Sequence, residues 1–334
     1  MQQRSSRAGL AIAVLAAASF GFSGPFVKPL LEAGWSPSAA VAVRAAIGAV
    51  VLAPLALHSL RGRWATVWPA RWRILGMAVL GVVGTQFFYF AAVERIPVGT
   101  AILIEYMAPL VLVGVAWVVT RRMPQRVVLI GSVSAFAGLI LVVSPSGAST
   151  LDPLGLASAL AAMLCCAAYF VIAARPTAGL PPLALAGLGL AIAPFVLALT
   201  SLVGLAPFQT TTADVSMLDT LVPWWVPLLV VGVVSTAVSY AASITATSML
   251  GSRLASFVGL LEVAAAAVVA WLLLGEVLTL LQFAGAVLIL AGIAFVRSAK
   301  PDAELAVVVG PDLGPGATAG VTHRGRIRRS SRVG

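Results

Sequence analysis

The chain has little charge, little cysteine and little histidine for its length. Of 334 residues only 10% are Asp, Glu, Lys or Arg, and there are 2 cysteines and 2 histidines. A soluble domain carries roughly a quarter charged residues. With 60% hydrophobic residues, this chain cannot keep its apolar surface from water unless lipid is the solvent for most of it. A cytosolic enzyme, a disulfide-stapled secreted module and a disordered protein are thereby excluded. Cys165 and Cys166 are adjacent within an apolar run and give neither a disulfide framework nor metal-ligand spacing. His58 and His323 are isolated, without the partners of a catalytic or metal site. A Gly-rich phosphate loop is absent, which argues against direct ATP hydrolysis. The expectation is a chain with no enzymatic activity, cofactor or metal.

What is abundant is long apolar sequence. A bilayer core needs roughly 20 apolar residues per helix, and ten such runs stand out, at 8–31, 38–57, 74–93, 98–119, 126–144, 154–174, 183–204, 225–245, 254–274 and 279–296. The first follows Arg4 and Arg7 as a signal peptide would, but it continues to Leu31, too long for an h-region, so it is read as a retained helix. With an internal N-terminus, every one of the 21 basic residues except Lys28, Arg44 and Arg95 falls in an internal segment. The external segments hold Glu32, Glu94, Asp152, Asp214, Asp219 and Glu276 instead. This bias predicts both termini in the cytoplasm and a multi-pass protein of the inner (plasma) membrane. Trp64, Trp68 and Trp72 among inner-face arginines, and Trp224 and Trp225 at the outer face, fit interfacial aromatic belts.

The net charge of +10 raises nucleic-acid binding, but there is neither a folded reader nor an aromatic platform for it. The last segment, 298–334, is Pro/Gly-rich and then basic. It is expected to be a disordered cytoplasmic tail in contact with anionic headgroups.

The runs repeat. Ala101–Val142 aligns with Ala255–Val296 at an offset of 154 without a gap, and nine of 42 positions are identical, among them Trp117/Trp271, Gly131/Gly285 and Gly138/Gly292. Gly81–Thr85 matches Gly232–Thr236 at an offset of 151, followed by Tyr89/Tyr240 and Ala91/Ala242. The chain therefore divides into a short N-terminus (1–7), two five-helix halves (8–144 and 152–297) and the tail. Five is odd, so the halves cross the membrane in opposite senses. The fold class expected is an all-α integral membrane protein of two inverted five-helix repeats. Inverted repeats are a hallmark of transporters, because two equivalent halves can exchange conformations around a central site.

Charges inside apolar spans mark where that site would be, since an ionised group there costs several kcal/mol unless paired or facing water. Glu105, Glu262 and Arg44 are such residues. In the repeat alignment the two glutamates lie about one turn from equivalence. Each could bind a substrate ammonium, carry a coupled proton or hold two helices together. Arg44 could pair with Glu105, receive a substrate carboxylate or act as an anchor. Gln86, Tyr89, Tyr106, Tyr169, Tyr240 and Phe257 lie at similar depth and are candidate cavity-lining residues. Pro25, Pro109 and Pro194 are candidate hinges. Small residues in the fifth and tenth spans predict close helix packing, within one subunit or across a homodimer.

The stretch Thr85–Pro109, with Tyr89, Pro97, Gly99, Glu105 and Pro109, resembles the EamA-type branch of the drug/metabolite transporter superfamily, and looks most like its threonine/homoserine exporter group. The second half is similar through Ser235-Thr236, Tyr240, Glu262 and Leu274-Gly-Glu276. The chain departs from the pattern at Val263, where a proline commonly follows the glutamate, at Arg121-Arg122, where Gly-Glu is frequent, and at Phe20-Gly21, where Trp-Gly is common. The resemblance implies a secondary carrier that exports a small metabolite, an amino acid foremost, with proton coupling as an option. The rival readings are an exporter of organic cations or drugs and a non-transport membrane scaffold.

Overall fold

A computed structural model describes residues 2–121, 123–143, 151–174, 179–218 and 220–298. The tail expected to be disordered lies outside the described residues beyond Ser298, as do Arg122, Arg175 and Asp219. Among the described residues, ten helices are long and apolar enough to cross a membrane. They are α1 (Arg7–Glu32), α2 (Pro37–Ser59), α3 (Arg71–Val93), α4 (Val98–Thr120), α5 (Arg126–Val143), α6 (Pro153–Ala173), α7 (Pro182–Leu202), α8 (Trp225–Leu250), α9 (Leu254–Leu274) and α10 (Leu280–Ser298). Prolines open α2, α6 and α7, where the missing N–H would have had no partner in any case. Ser36 caps α2 by accepting from the Ala39 N–H at 3.3 Å. Ten crossings return the chain to the side on which it began; that side is the terminal face and the other the far face.

The packing has an internal two-fold pattern. Helix α1 packs on α8 and α9 as α6 packs on α3 and α4. Helix α2 packs on α7 and α8 as α7 packs on α2 and α3, while α4 meets α9 and α5 meets α10. Advancing each helix by five turns this set of neighbours into itself. The seam between α5 and α10 obeys the same rule. Gly131 faces the Gly292 carbonyl and Gly138 the Gly285 carbonyl, so close that an added Cβ would sit 2.6 and 2.5 Å from those oxygens. The repeat offset converts one contact into the other. The small residues of α5 and α10 therefore let two backbones of one chain touch.

Helices α3 and α8, equivalent by the repeat, each contain a π-helical stretch, Met77–Gly84 and Val230–Val238. In each a threonine hydroxyl bonds to the carbonyl five residues back, Thr85 to Leu80 at 2.9 Å and Thr236 to Val231 at 2.8 Å. Helices α4 and α9 are interrupted at equivalent depths, after Glu105 and after Gly259. Pro109 accounts for the first interruption, because its nitrogen cannot bond the Glu105 carbonyl. Helix α9 breaks without a proline, Val263 standing at the matching position. Pro25 likewise lies just past an interruption of α1 at Phe22. Pro194, expected as a hinge, sits inside an uninterrupted helix: its lost backbone bond is absorbed without a break.

The α7–α8 connection adds an element the apolar runs do not announce. Strands β1 (Val215–Met217) and β2 (Thr220–Val222) form an antiparallel hairpin on the far face. Val215 and Met217 are buried. The chain before the hairpin is stitched to the α1–α2 turn, where Trp35 donates to the Thr211 carbonyl at 2.9 Å and the Ser36 N–H to that of Gln209 at 3.0 Å. Trp224 stacks on Trp35 with ring centroids 5.8 Å apart, so it packs into this cap. Trp64, Trp68 and Trp72 are exposed at the terminal face, with the Arg71 guanidinium 4.9 Å from the Trp68 ring.

Candidate functional site

The charged residues of the spans converge. Arg44 of α2, Gln86 and Tyr89 of α3, Glu105 of α4 and Glu262 of α9 line one small cavity together with Phe20 and Ser23 of α1 and Ile102 of α4. Its volume is about 20 Å³, the room of a single water. Arg44 and Glu105 each lie seven residues from a far-face helix end, ~10 Å deep at the helical rise. Both glutamates flank the interruptions of α4 and α9, where the helical ladder is already broken and side chains can approach a ligand.

Arg44 is 3% exposed and holds the cavity wall together. Its Nε donates to Thr236 Oγ1 at 3.1 Å and its Nη2 to the same oxygen at 2.9 Å. Nη2 also reaches the Ser235 carbonyl at 3.4 Å. Nη1 donates to Ser23 Oγ at 2.8 Å and to Gln86 Oε1. Its charge lies over the Phe90 ring, 5.3 Å from the centroid. All five N–H groups are used and every acceptor is neutral. The ion pair with Glu105 weighed from sequence does not form, because the π-helical stretch of α8 brings Thr236 and the Ser235 carbonyl to the guanidinium. Helix α7, the counterpart of α2, has no charged residue, so the arginine breaks the two-fold.

Glu105 makes no hydrogen bond or ion pair among the described residues, and the Tyr89 hydroxyl, on a residue 3% exposed, has no partner either. Glu262 is held: the Tyr106 hydroxyl lies 2.5 Å from Glu262 Oε2 and 3.2 Å from the Gly259 carbonyl. Tyr106 thus acts across the α4–α9 contact. Three expected residues stand elsewhere. Tyr240 lies behind Phe20, edge-on at 5.5 Å. Tyr169 packs against Phe170 and Gly81 in the α3–α6 contact. Phe257 lies before the interruption of α9 and does not line the cavity. The residues missed were Phe20, Ser23, Ile102, Ser235 and Thr236. Thr236 had a signal, its repeat match with Thr85; Ser23 had none beyond being polar in a span.

A second constellation joins three elements at the far face. Lys28, at the end of α1, pairs with Glu276 of the α9–α10 turn at 2.6 Å, with side chains 17% and 18% exposed. The other Glu276 oxygen accepts the Val98 N–H at 2.9 Å, capping α4 where its dipole favours an anion. Three elements meet on one carboxylate. The repeat places Arg121-Arg122 where Gly275-Glu276 stands, and Arg121 shares the left-handed turn of Gly275, with φ 57° against 65°. The terminal face therefore lacks an equivalent carboxylate at that position.

The EamA-like transporter family matches the chain twice, over residues 7–144 and 153–298. The chain belongs to that family. The two matches coincide with the two groups of five helices, and together with the ten spans they make it a multi-pass membrane protein of a small-molecule transporter family. No curated protein matches. A solved structure described only as a crystal structure of a protein is similar over 86% of this chain and 96% of its own, at 19% identity and a TM-score of 0.56. That likeness concerns the fold. The narrower resemblance to threonine/homoserine exporters is not among these matches.

Proposed function

We propose that the chain is a secondary carrier that exports a small ammonium-bearing metabolite, amino acids included, by alternating access of the Arg44–Glu105–Glu262 cavity. The observation that carries this reading is the placement of an unpartnered carboxylate, Glu105, and an unpartnered hydroxyl, Tyr89, in a buried cavity at the junction of two inverted halves. Two unpartnered polar groups facing one cavity mark it as a place where a ligand can complete their hydrogen bonds. The cavity is far below the ~300 Å³ of a ligand pocket, so substrate entry requires the halves to move. The interruptions of α4 and α9 and the π-helical stretches of α3 and α8 supply paired points of flexure.

Glu105 and Glu262 are also the groups that can carry a proton, which makes coupling to a pH gradient part of the proposal. The membrane is proposed to be the plasma membrane with both termini cytoplasmic, supported by Arg61, Arg63, Arg71, Arg73, Arg121, Arg126 and Arg297 on the terminal face. The test is uptake of labelled amino acids into proteoliposomes with and without an imposed pH gradient. Saturable uptake lost in Glu105→Gln and Glu262→Gln is expected; unchanged uptake in both variants would sink the assignment of the site.

A further inference from the structure

Resting on the carrier reading, we propose that Tyr89 links the filling of the cavity to the Lys28–Glu276 ion pair, so that a ligand in the cavity and the ion pair at the far face oppose one another. The Tyr89 side chain belongs to both places. It lines the cavity, and its hydroxyl has no hydrogen bond to hold it. The same hydroxyl is packed against α1 and α4. A Cβ added to Gly24 would overlap the hydroxyl oxygen and sit 2.5 Å from Val98 Cγ1. Gly24, Tyr89 and Val98 therefore meet in one joint between α1, α3 and α4, where the missing side chain of a glycine makes room for the phenol. The ion pair stands one turn above that joint. Lys28 follows Gly24 by four residues in the same helical segment, on the same face. Val98 gives its side chain to the joint and its N–H to Glu276. A displacement of Tyr89 that parts α1 from the start of α4 thus pulls Lys28 and the Val98 N–H away from the one carboxylate they share, which now holds them at 2.6 and 2.9 Å.

The cavity cannot be filled without moving a wall. Its 20 Å³ are an order of magnitude below the ~300 Å³ of a ligand pocket. The walls differ in how they are held. Arg44 ties Ser23, Gln86, Thr236 and the Ser235 carbonyl to one another, and Tyr106 holds Glu262. Tyr89 is held by packing alone, and Val98 behind its hydroxyl is fully buried. Glu105 is equally unheld, but a flexible carboxylate yields by rotating, whereas a rigid ring passes its displacement on. A ligand that presses on the ring meets a close-packed joint, which transmits the strain. By reciprocity, a ligand that loosens the ion pair binds more tightly once the pair is gone. The repeat leaves the link one-sided: Tyr240, the counterpart of Tyr89, packs edge-on against Phe20, and Arg121-Arg122 stand in place of Gly275-Glu276.

The experiment replaces the ligand by a tethered one. Ile102 lines the cavity from α4, and Ile102→Trp puts an indole where a single water fits. Spin labels at Glu32 and Val277 flank the ion pair, in the full chain with Cys165 and Cys166 replaced by serine, and thermal unfolding in detergent checks the fold. Overpacking strains a site by enough to move an equilibrium about tenfold or more, so the ratio of longer-distance to shorter-distance populations should rise by that factor. Ile102→Trp combined with Tyr89→Ala should keep the shorter distance, because the indole takes the space of the phenol and the joint is not pushed. Gly24→Ala, which wedges the joint from α1, should lengthen the distance with every cavity-lining residue unchanged. If Ile102→Trp does not fold, Phe20→Trp crowds the same cavity from α1 and takes its place. An unchanged distance distribution in the folded crowding variant or in Gly24→Ala would overturn the proposal, and so would lengthening that persists undiminished with Tyr89→Ala. None of these results touches the carrier reading, which is decided separately by uptake in Glu105→Gln and Glu262→Gln.

Discussion

Glu276→Gln should open the far face. The Glu276 carboxylate accepts from Lys28 at 2.6 Å and from the Val98 N–H at 2.9 Å. Glutamine keeps the shape but removes the charge. A hydrogen bond to a charged group contributes about 1.5–3 kcal/mol. The pair is 17% and 18% exposed, so solvent screens it incompletely and about 2 kcal/mol is a fair value for its loss. These contacts join the ends of α1, α4 and α9, so in this account they exist only while the far face is closed. Their loss then raises that state alone, and at about 1.4 kcal/mol per tenfold the equilibrium moves about thirtyfold toward opening. Lys28→Met acts in the same direction but less, because the cap on α4 survives. Exchanging the two residues restores the ion pair and not the cap, since lysine has no acceptor, so recovery is partial. The assay is the distance between spin labels at Glu32 and Val277, in a background with Cys165 and Cys166 replaced by serine. A longer-distance population should grow in Glu276→Gln. An unchanged distance distribution in the folded variant would refute the reasoning.

Three further outcomes follow from the packing. Gly138→Ala places a Cβ 2.5 Å from the Gly285 carbonyl oxygen and should destabilise by about 1–3 kcal/mol. Adding Gly131→Ala should cost less than a second such step, because separating α5 from α10 once relieves both clashes; this is read from thermal unfolding in detergent. Thr236→Val removes two bonds from Arg44 and should lower stability more than Thr85→Val, which removes a single neutral bond of about 1 kcal/mol. The Asp152 carboxyl is held below the ordinary aspartate value by the amide N–H groups of Gly155 and Leu154. Its contribution to the start of α6 is present above the ordinary carboxylate range and is lost as pH falls through and below it. Asp152→Ala should remove that acid sensitivity from hydrogen exchange of the first turn of α6.

The ten spans were legible because hydropathy and helix length obey one constraint, the thickness of a bilayer. The repeat was legible wherever geometry restricts residue choice: Gly131 and Gly285 match because only glycine fits where two backbones touch. Arg44, Glu105 and Glu262 declared themselves as charges where charge is expensive. What stayed hidden depends on three-dimensional partners. The acceptors of Arg44 are small hydroxyls and a carbonyl, and a serine such as Ser23 in an apolar span carries no mark of which neighbour it faces. The break in α9 has no proline to announce it. Tyr169 and Tyr240 share the depth of the cavity without facing it, because depth follows from counting residues whereas azimuth depends on the interruptions and π-helical stretches. The hairpin of β1 and β2, with three residues in each strand, is too short for a periodic signal.

One central site that opens to each side of the membrane in turn is the core of the proposed function. The most direct test is a cysteine at Ile102, an apolar wall residue 3% exposed, in the background with Cys165 and Cys166 replaced by serine. A membrane-impermeant maleimide is added to one side of oriented vesicles and then, separately, to the other. Slow labelling from both sides is expected, with Glu276→Gln accelerating it from the far face and slowing it from the terminal face. Labelling from neither side, or equal acceleration from both, would contradict it.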